Sequence, residues 1–239
     1  MASSPQRPFT RRQLLQRSGL VGMGWLTSGC SSTWLANQVG QRTEPLNQTV
    51  EALLLKPQTP VPEFPTSAIE PLDALLINTF DTTPEIDLQT YRLTIDGEVT
   101  NPLQLSLVDI QKRPRQSMVI RHVCVEGWAA IVQWNGAPLR ELIALAKPKS
   151  TARFVYFESA DGYYESWDLA SALHPQTLLA YQRNGQPLSI ENGAPIRLAA
   201  PIKLGYKQSK WVTRVQLVSQ LLPQTGYWED QGYEWFGGL

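Results

Sequence analysis

Cysteine and histidine are scarce in this chain, with two of each in 239 residues. That excludes a disulfide-stapled scaffold and leaves too few nitrogen and sulfur ligands for a zinc site built by protein alone. It also argues against an internal bis-histidine haem, and no c-type haem attachment motif is present. Charge of one sign is missing too: 21 Lys and Arg balance 21 Asp and Glu, so no basic excess points to nucleic acid. No run of 18 apolar residues is long enough to span a bilayer. Internal repeats and glycine-rich phosphate loops of the usual spacing are absent as well.

What is present is the composition of a globular protein, 42% hydrophobic, behind a leader and a linker. Residues 1–30 read as an export signal. Thr10-Arg11-Arg12-Gln13-Leu14-Leu15 is a twin-arginine pattern, and a modestly apolar segment follows from Leu20 to Leu26. Thr27-Ser28-Gly29-Cys30 places small residues before a cysteine, as at a lipoprotein cleavage site, although Thr27 stands where such sites prefer leucine. Lipidation of Cys30, ordinary cleavage nearby and an uncleaved anchor all remain open. If Cys30 is lost or lipidated, the exported part keeps one thiol, Cys124, and cannot form an internal disulfide. The expected location is the periplasm or the outer face of a membrane.

Residues 31–71 are polar, with Pro57, Pro60, Pro62, Pro65 and Pro71 close together. They read as an extended tether or as a strap along the domain surface. Residues 72–239 then form one domain. Tyr91 to Ile95 alternates as a half-buried strand, and Asp96-Gly97 turns the chain. Ser106-Leu107-Val108-Asp109 resembles a capping box opening a short helix that Pro114 closes. Pro138 begins a stronger helix with Leu139, Leu142, Ile143 and Ala146 on one face, ended by Pro148. Arg153 to Glu158 is a strand, Asp161-Gly162 a turn, and Trp167-Asp168-Leu169 leads into a short helix. Asn184-Gly185 joins Leu178–Gln182 to Gln186–Ile190 as a hairpin. Strands at Ile196–Ile202 and Trp211–Val218 complete an α+β pattern of several small mixed β-sheets and short helices.

Four stretches could converge on a site: the one carrying Cys124, Glu158-Ser159-Ala160-Asp161, Glu191-Asn192-Gly193-Ala194-Pro195-Ile196-Arg197, and Lys203 to Trp211. Arg121-His122-Val123-Cys124-Val125-Glu126-Gly127-Trp128 places the thiol at the end of a strand, with two potential cations just before it. Cys124 reads as a small buried hydrophobe or as a thiolate, either nucleophile or soft-metal ligand. Downstream, Arg197, Lys203, Lys207 and Lys210 lie close together around Gly205, Gln208 and Ser209. They form either an anion site or a solvated strand edge guarded by lysines.

Taken in order, CVEGW at Cys124–Trp128, HPQTLLAYQRNGQPLSIENGAPIRL at His174–Leu198 and GYKQSKW at Gly205–Trp211 resemble the molybdopterin-binding oxidoreductases. That family includes sulfite oxidases and the periplasmic methionine sulfoxide reductase catalytic subunit. The resemblance spans about Leu75 to Val218. It implies a sulfite oxidase-type domain holding one molybdenum-molybdopterin per chain, with Cys124 as catalytic thiolate ligand to the metal. It further implies cofactor contacts at Asn78, Asp81, Thr82, Ser159, Asn192, Arg197, Gln208, Ser209 and Lys210, with the basic cluster as cradle for the pterin's phosphate. Arg121 or His122, as cations, would favour the thiolate.

Sulfite oxidases continue from their cysteine as CAGNRR, whereas Val125-Glu126-Gly127-Trp128 brings no basic residue. The expected activity is therefore oxygen-atom transfer with reduction of a small or protein-borne sulfoxide. Sulfite oxidation and a non-catalytic exported binding module are the alternatives. Electrons would pass through a separate redox partner, a membrane haem protein by analogy with the reductase branch. The aromatic tail Gly226–Tyr233 is expected to pack on the domain.

Overall fold

The computed structural model describes residues 58–239, with Val50 alone ahead of them. The export signal, Cys30 and most of the tether lie outside the described residues. The chain divides into two compact units, Met1–Glu51 and Ala52–Leu239, and the second is described here.

The strands are β1 (Leu93–Gly97), β2 (Leu103–Leu105), β3 (Gln116–Val123), β4 (Ala129–Pro138) and β5 (Phe154–Ser159). They continue with β6 (Tyr164–Asp168), β7 (Leu178–Arg183), β8 (Gln186–Pro187), β9 (Arg197–Ala199) and β10 (Val212–Val218). Three short helices, α1 (Leu107–Gln111), α2 (Leu139–Ala146) and α3 (Leu169–Ala172), are interspersed. The expected α+β pattern of sheets and short helices forms, and among the described residues the strands make two sheets. One is mixed, in the order β2-β1-β10-β5-β6, with β1 and β10 parallel. The other is antiparallel, in the order β3-β4-β7-β8, with β9 also pairing β7.

The local signals form as their chemistry requires. Ser106 and Asp109 make the reciprocal capping box of α1. Pro138 sits just before α2, whose Leu139, Leu142, Ile143 and Ala146 are all buried. Asn184 and Gly185 both take positive φ, 50° and 76°, the combination that a two-residue hairpin turn demands. Two predicted strands shrink. Only Gln186–Pro187 of the hairpin's second arm pairs, because a 3₁₀ turn at Ile190–Asn192 takes over. The predicted Ile196–Ile202 strand keeps only Arg197–Ala199.

Alternation along β7 divides the core. Leu179 and Tyr181 join Leu198 and the apolar face of α2 in the larger cluster, under the mixed sheet. Leu178 and Ala180 face the other way, into a smaller cluster with Met118, Ile120, Val132 and Trp134. The polar segment before Leu72 behaves as a strap. Phe64 and Glu70 donate backbone bonds to Val119 and Ile131 at 2.9 Å, and the Glu63 and Glu70 carboxylates accept from the same two residues' N–H groups. Gln176 ties Val61 from both sides. Residues 61–70 are thus bound along the domain surface, the strap reading of this segment.

Candidate functional site

A cavity of about 970 Å³, counted with its open mouth, lies over the smaller core cluster. Residues 75–80, the β3–β4 hairpin, the β5–β6 turn, the Ile190–Asn192 turn, β9, residues 205–210 and the C-terminal tail all reach it. The hairpin is tight because Cys124 N–H donates to Trp128 O at 2.9 Å and Gly127 N–H to Cys124 O at 3.1 Å. Gly127 holds φ +92° with nothing near its Cα hydrogen, so backbone conformation alone calls for glycine there.

Cys124 is the free cysteine of the described residues. Its Sγ donates to Glu126 Oε2 at 3.6 Å, and that same oxygen accepts from Asn78 Nδ2 at 2.7 Å and Trp128 Nε1 at 2.9 Å. The bonds from Trp128 and Asn78 hold the Glu126 carboxyl below its usual pKa, while burial and then the Glu126 charge push the thiol up. This corrects the expectation that Arg121 or His122 activates the thiol. Arg121 is exposed over the Phe64 ring at 5.3 Å. His122 is buried, and desolvation with the nearby Arg197 charge lowers its pKa to about 3, so it is neutral.

The cavity floor is cationic. Arg197 lies 4.8 Å above the Trp134 ring and donates to the carbonyls of Leu198, Asn192 and Gln208 at 3.2–3.3 Å. Lys210 Nζ donates to Asn78 O at 2.5 Å and Glu191 O at 2.9 Å. Beneath them Arg183 donates to Asn192 Oδ1 at 3.0 Å and Leu72 O at 2.7 Å. Among the described residues none of these three cations forms a salt bridge. Desolvation lowers Arg197 to about 9 and Lys210 to about 8. Arg183 and Arg197 are buried and Lys210 is half-buried with the Asp161 and Glu191 charges near it; cations so placed suit an anionic ligand.

The predicted basic cluster is therefore split. Lys203 is buried, donates to Phe236 O at 2.5 Å and pairs with Asp168 at 3.6 Å. Lys207 is buried between Glu165 and Glu229. These lysines neither face the cavity nor guard an edge; they hold the tail to β6, because carboxylates on that strand and in the tail reach them first. Of the other predicted contacts, Asn78, Asn192, Arg197, Gln208, Ser209 and Lys210 line the cavity with Cys124. Ser159 is buried at the end of β5 without lining it. Asp81 and Thr82 are exposed and outside the lining. Asp161 and Tyr206 line it too, from stretches expected to converge there, whereas Tyr163, Trp228 and Tyr233 were not expected in the lining. The tail was legible as aromatic, but that signal does not say what the side chains face.

The residues fit a phosphate-bearing, sulfur-ligating cofactor. Ser159 Oγ, Ser209 Oγ and His122 Nδ1 are buried without hydrogen-bond partners. A Cβ added at Gly205 would stand 3.2 Å from His122 Nε2 and 3.6 Å from Cys124 Cα, so glycine keeps that wall thin. No group of three or more His, Cys, Asp and Glu among the described residues could hold an ion. A metal at Cys124 would thus need most of its ligands from a cofactor.

Comparison with known proteins agrees. The sequence model of the oxidoreductase molybdopterin binding domain matches residues 80–228. The chain is 38% identical, over 95% of its length and 87% of the relative's, to an Azospira oryzae protein with the provisional name protein-methionine-sulfoxide reductase subunit YedZ1. It is 36% identical over 62% of its length to the protein-methionine-sulfoxide reductase catalytic subunit MsrP of Campylobacter jejuni, of which it spans 55%. The sulfane dehydrogenase SoxCD of Paracoccus pantotrophus superposes with a TM-score of 0.55 at 26% identity, covering 58% of this chain and 40% of that one. With well over half its length matched, the chain belongs to the oxidoreductase molybdopterin-binding domain family and is a molybdopterin-dependent oxidoreductase.

Proposed function

We propose that the chain reduces a sulfoxide: R₂S=O, two electrons and two protons give R₂S and water, with a separate electron carrier as reductant. One cofactor per chain would sit in the cavity. Asn192, Arg197, Gln208, Ser209 and Lys210 would hold its phosphate, with Asn78 and Ser159 alongside, and Cys124 would supply the thiolate. When bound, the cofactor supplies the redox-active metal for two-electron oxygen-atom transfer. The chain's own residues bind, orient and select. Because burial and Glu126 both keep the Cys124 proton on, ligation must drive its loss, as metal binding drives thiol deprotonation in general.

The observation that carries the choice of substrate is the Glu126 carboxylate, pinned by Asn78 and Trp128 beside Cys124. A fixed negative charge there repels sulfite and tolerates a neutral sulfoxide. The names of the two relatives point the same way. Sulfite-type oxidation is the second reading, favoured by the likeness to SoxCD. Export by the twin-arginine leader, a location in the periplasm or on the outer face of a membrane, a lipid at Cys30 and a membrane haem partner complete the proposal on sequence grounds.

The test is turnover of cofactor-loaded protein with a reduced viologen dye and methionine sulfoxide, against sulfite with ferricyanide. Dye oxidation dependent on sulfoxide supports the reading. Robust sulfite turnover with none on sulfoxide overturns it.

A further inference from the structure

Polar groups line the floor of the cavity, but its mouth is apolar. Leu76, Ile77, Phe80, Val125, Trp228 and Tyr233 all line it and are 37–56% exposed. That gathers six large apolar side chains from three separate segments around one opening, where such residues are usually scattered singly. Phe80 meets Tyr163 and Tyr227 edge-on at 5.8 and 4.4 Å. Tyr227, Trp228 and Tyr233 continue the aromatic wall at 5.1 Å spacings, and Tyr206 joins Tyr233 at 5.6 Å. The charged groups lining the cavity are the carboxylates of Glu126, Asp161 and Glu191 with the cations Arg197, buried in the floor, and Lys210, half-buried near Asp161 and Glu191. Glu126 is thus the carboxylate without a nearby lining cation among its hydrogen-bond partners.

The wall is preformed. Glu229, beside Trp228, pairs with the buried Lys207. Trp235 Nε1 donates to Ser166 Oγ at 2.8 Å and Leu204 N–H to Gly237 O at 2.8 Å. The Lys203 ammonium sits 3.4 Å over the Phe236 ring. Leu76 and Ile77 precede the matched family region, and Tyr233 follows it. Phe80, Val125 and Trp228 lie within it.

We propose that this rim is a subsite for the residues flanking a sulfoxide carried on an extended peptide, and that Trp228 and Tyr233 set a preference for apolar, non-acidic flanks. The proposal rests on sulfoxide reduction as the reaction and deepens it. A small free sulfoxide reaching the floor would leave most of this rim uncovered. A chain threaded across the mouth would cover it on both sides, and a rigid aromatic wall loses little entropy on binding. The Glu126 carboxylate disfavours acidic flanks.

The test compares two sulfoxide-containing peptides of equal length, one flanked by leucine and phenylalanine and one by serine, on cofactor-loaded full-length protein. Covering one flank at half depth predicts a kcat/KM ratio of about tenfold for the apolar peptide. Trp228→Ala with Tyr233→Ala should collapse that ratio to within about twofold, whereas Trp228→Phe with Tyr233→Phe should keep most of it. If the alanine pair fails to fold, Leu76→Ser with Ile77→Ser tests the opposite side and should also reduce the ratio. Equal turnover of both peptides by the native protein overturns the rim proposal while leaving sulfoxide reduction standing. So does an unchanged ratio in the variants. Failure of the loaded protein to reduce either peptide or free methionine sulfoxide overturns the reaction, and the rim proposal with it.

Discussion

Replacing Arg197 with methionine separates a cofactor anchor from a structural cation. Arg197 is buried without a carboxylate partner, and its pKa falls from 12.5 to about 9. That depression represents roughly 5 kcal/mol of differential penalty on the charged form. Opposing it are three hydrogen bonds to carbonyls and the contact with Trp134, together worth roughly 3–6 kcal/mol. The terms nearly cancel, so Arg197→Met should change the unfolding free energy of cofactor-free protein by less than about 2 kcal/mol. In loaded protein the same substitution would remove the proposed charge pair with the cofactor's phosphate. That costs about 3–5 kcal/mol, or a factor of 10² to 10³ or more in affinity. Urea unfolding of the cofactor-free pair and molybdenum retention after prolonged dialysis of the loaded pair read the two effects separately. Collapse of the cofactor-free variant with undiminished molybdenum retention in what folds would refute the assignment of Arg197 as an anion anchor.

Other consequences follow from the packing. Lys207→Met leaves the Glu165 and Glu229 carboxylates buried together and should cost about 3–5 kcal/mol in urea unfolding. Adding Glu165→Gln should restore part of that loss, and no recovery would contradict the pairing. His174 accepts from Gln176 N–H at Nδ1 and donates from Nε2 to Thr59 O, so protonation breaks the first bond. Burial lowers its folded pKa below 6.5. The stability it gives is complete above the unfolded value and is lost as pH falls from there through the folded value, at no more than about 1.4 kcal/mol per pH unit. A urea-stability series from pH 8 to pH 4 should show His174→Gln losing less than the native chain. Gly97→Ala puts a Cβ 2.1 Å from Leu217 O at φ +86° and should cost more than about 1 kcal/mol, measurable as a lower melting temperature.

Local chemistry was readable in the sequence because each signal acts within a few residues. The Ser106 box, the Pro138 start, the Asn184-Gly185 turn and the strand alternation all formed where expected. Partnerships across the chain were not readable. The four cations of the downstream stretch look alike in sequence, yet Glu165, Asp168 and Glu229 claim two of them and leave Arg197 and Lys210 for the cavity. The parallel pairing of β1 with β10 joins the two ends of the domain, and no local pattern announces it. His122 seemed a cation by type, and only its burial beside Arg197 shows it neutral. The thiol that first stood out is therefore chemically quiet in the free chain, and its reactivity must come from what binds it.

The most direct measurement of that claim is molybdenum X-ray absorption on purified native protein and on Cys124→Ser. The account predicts about one molybdenum per native chain, and one sulfur scatterer fewer in the variant at whatever molybdenum it retains. A sulfur count unchanged by the substitution, with molybdenum still bound, would contradict it.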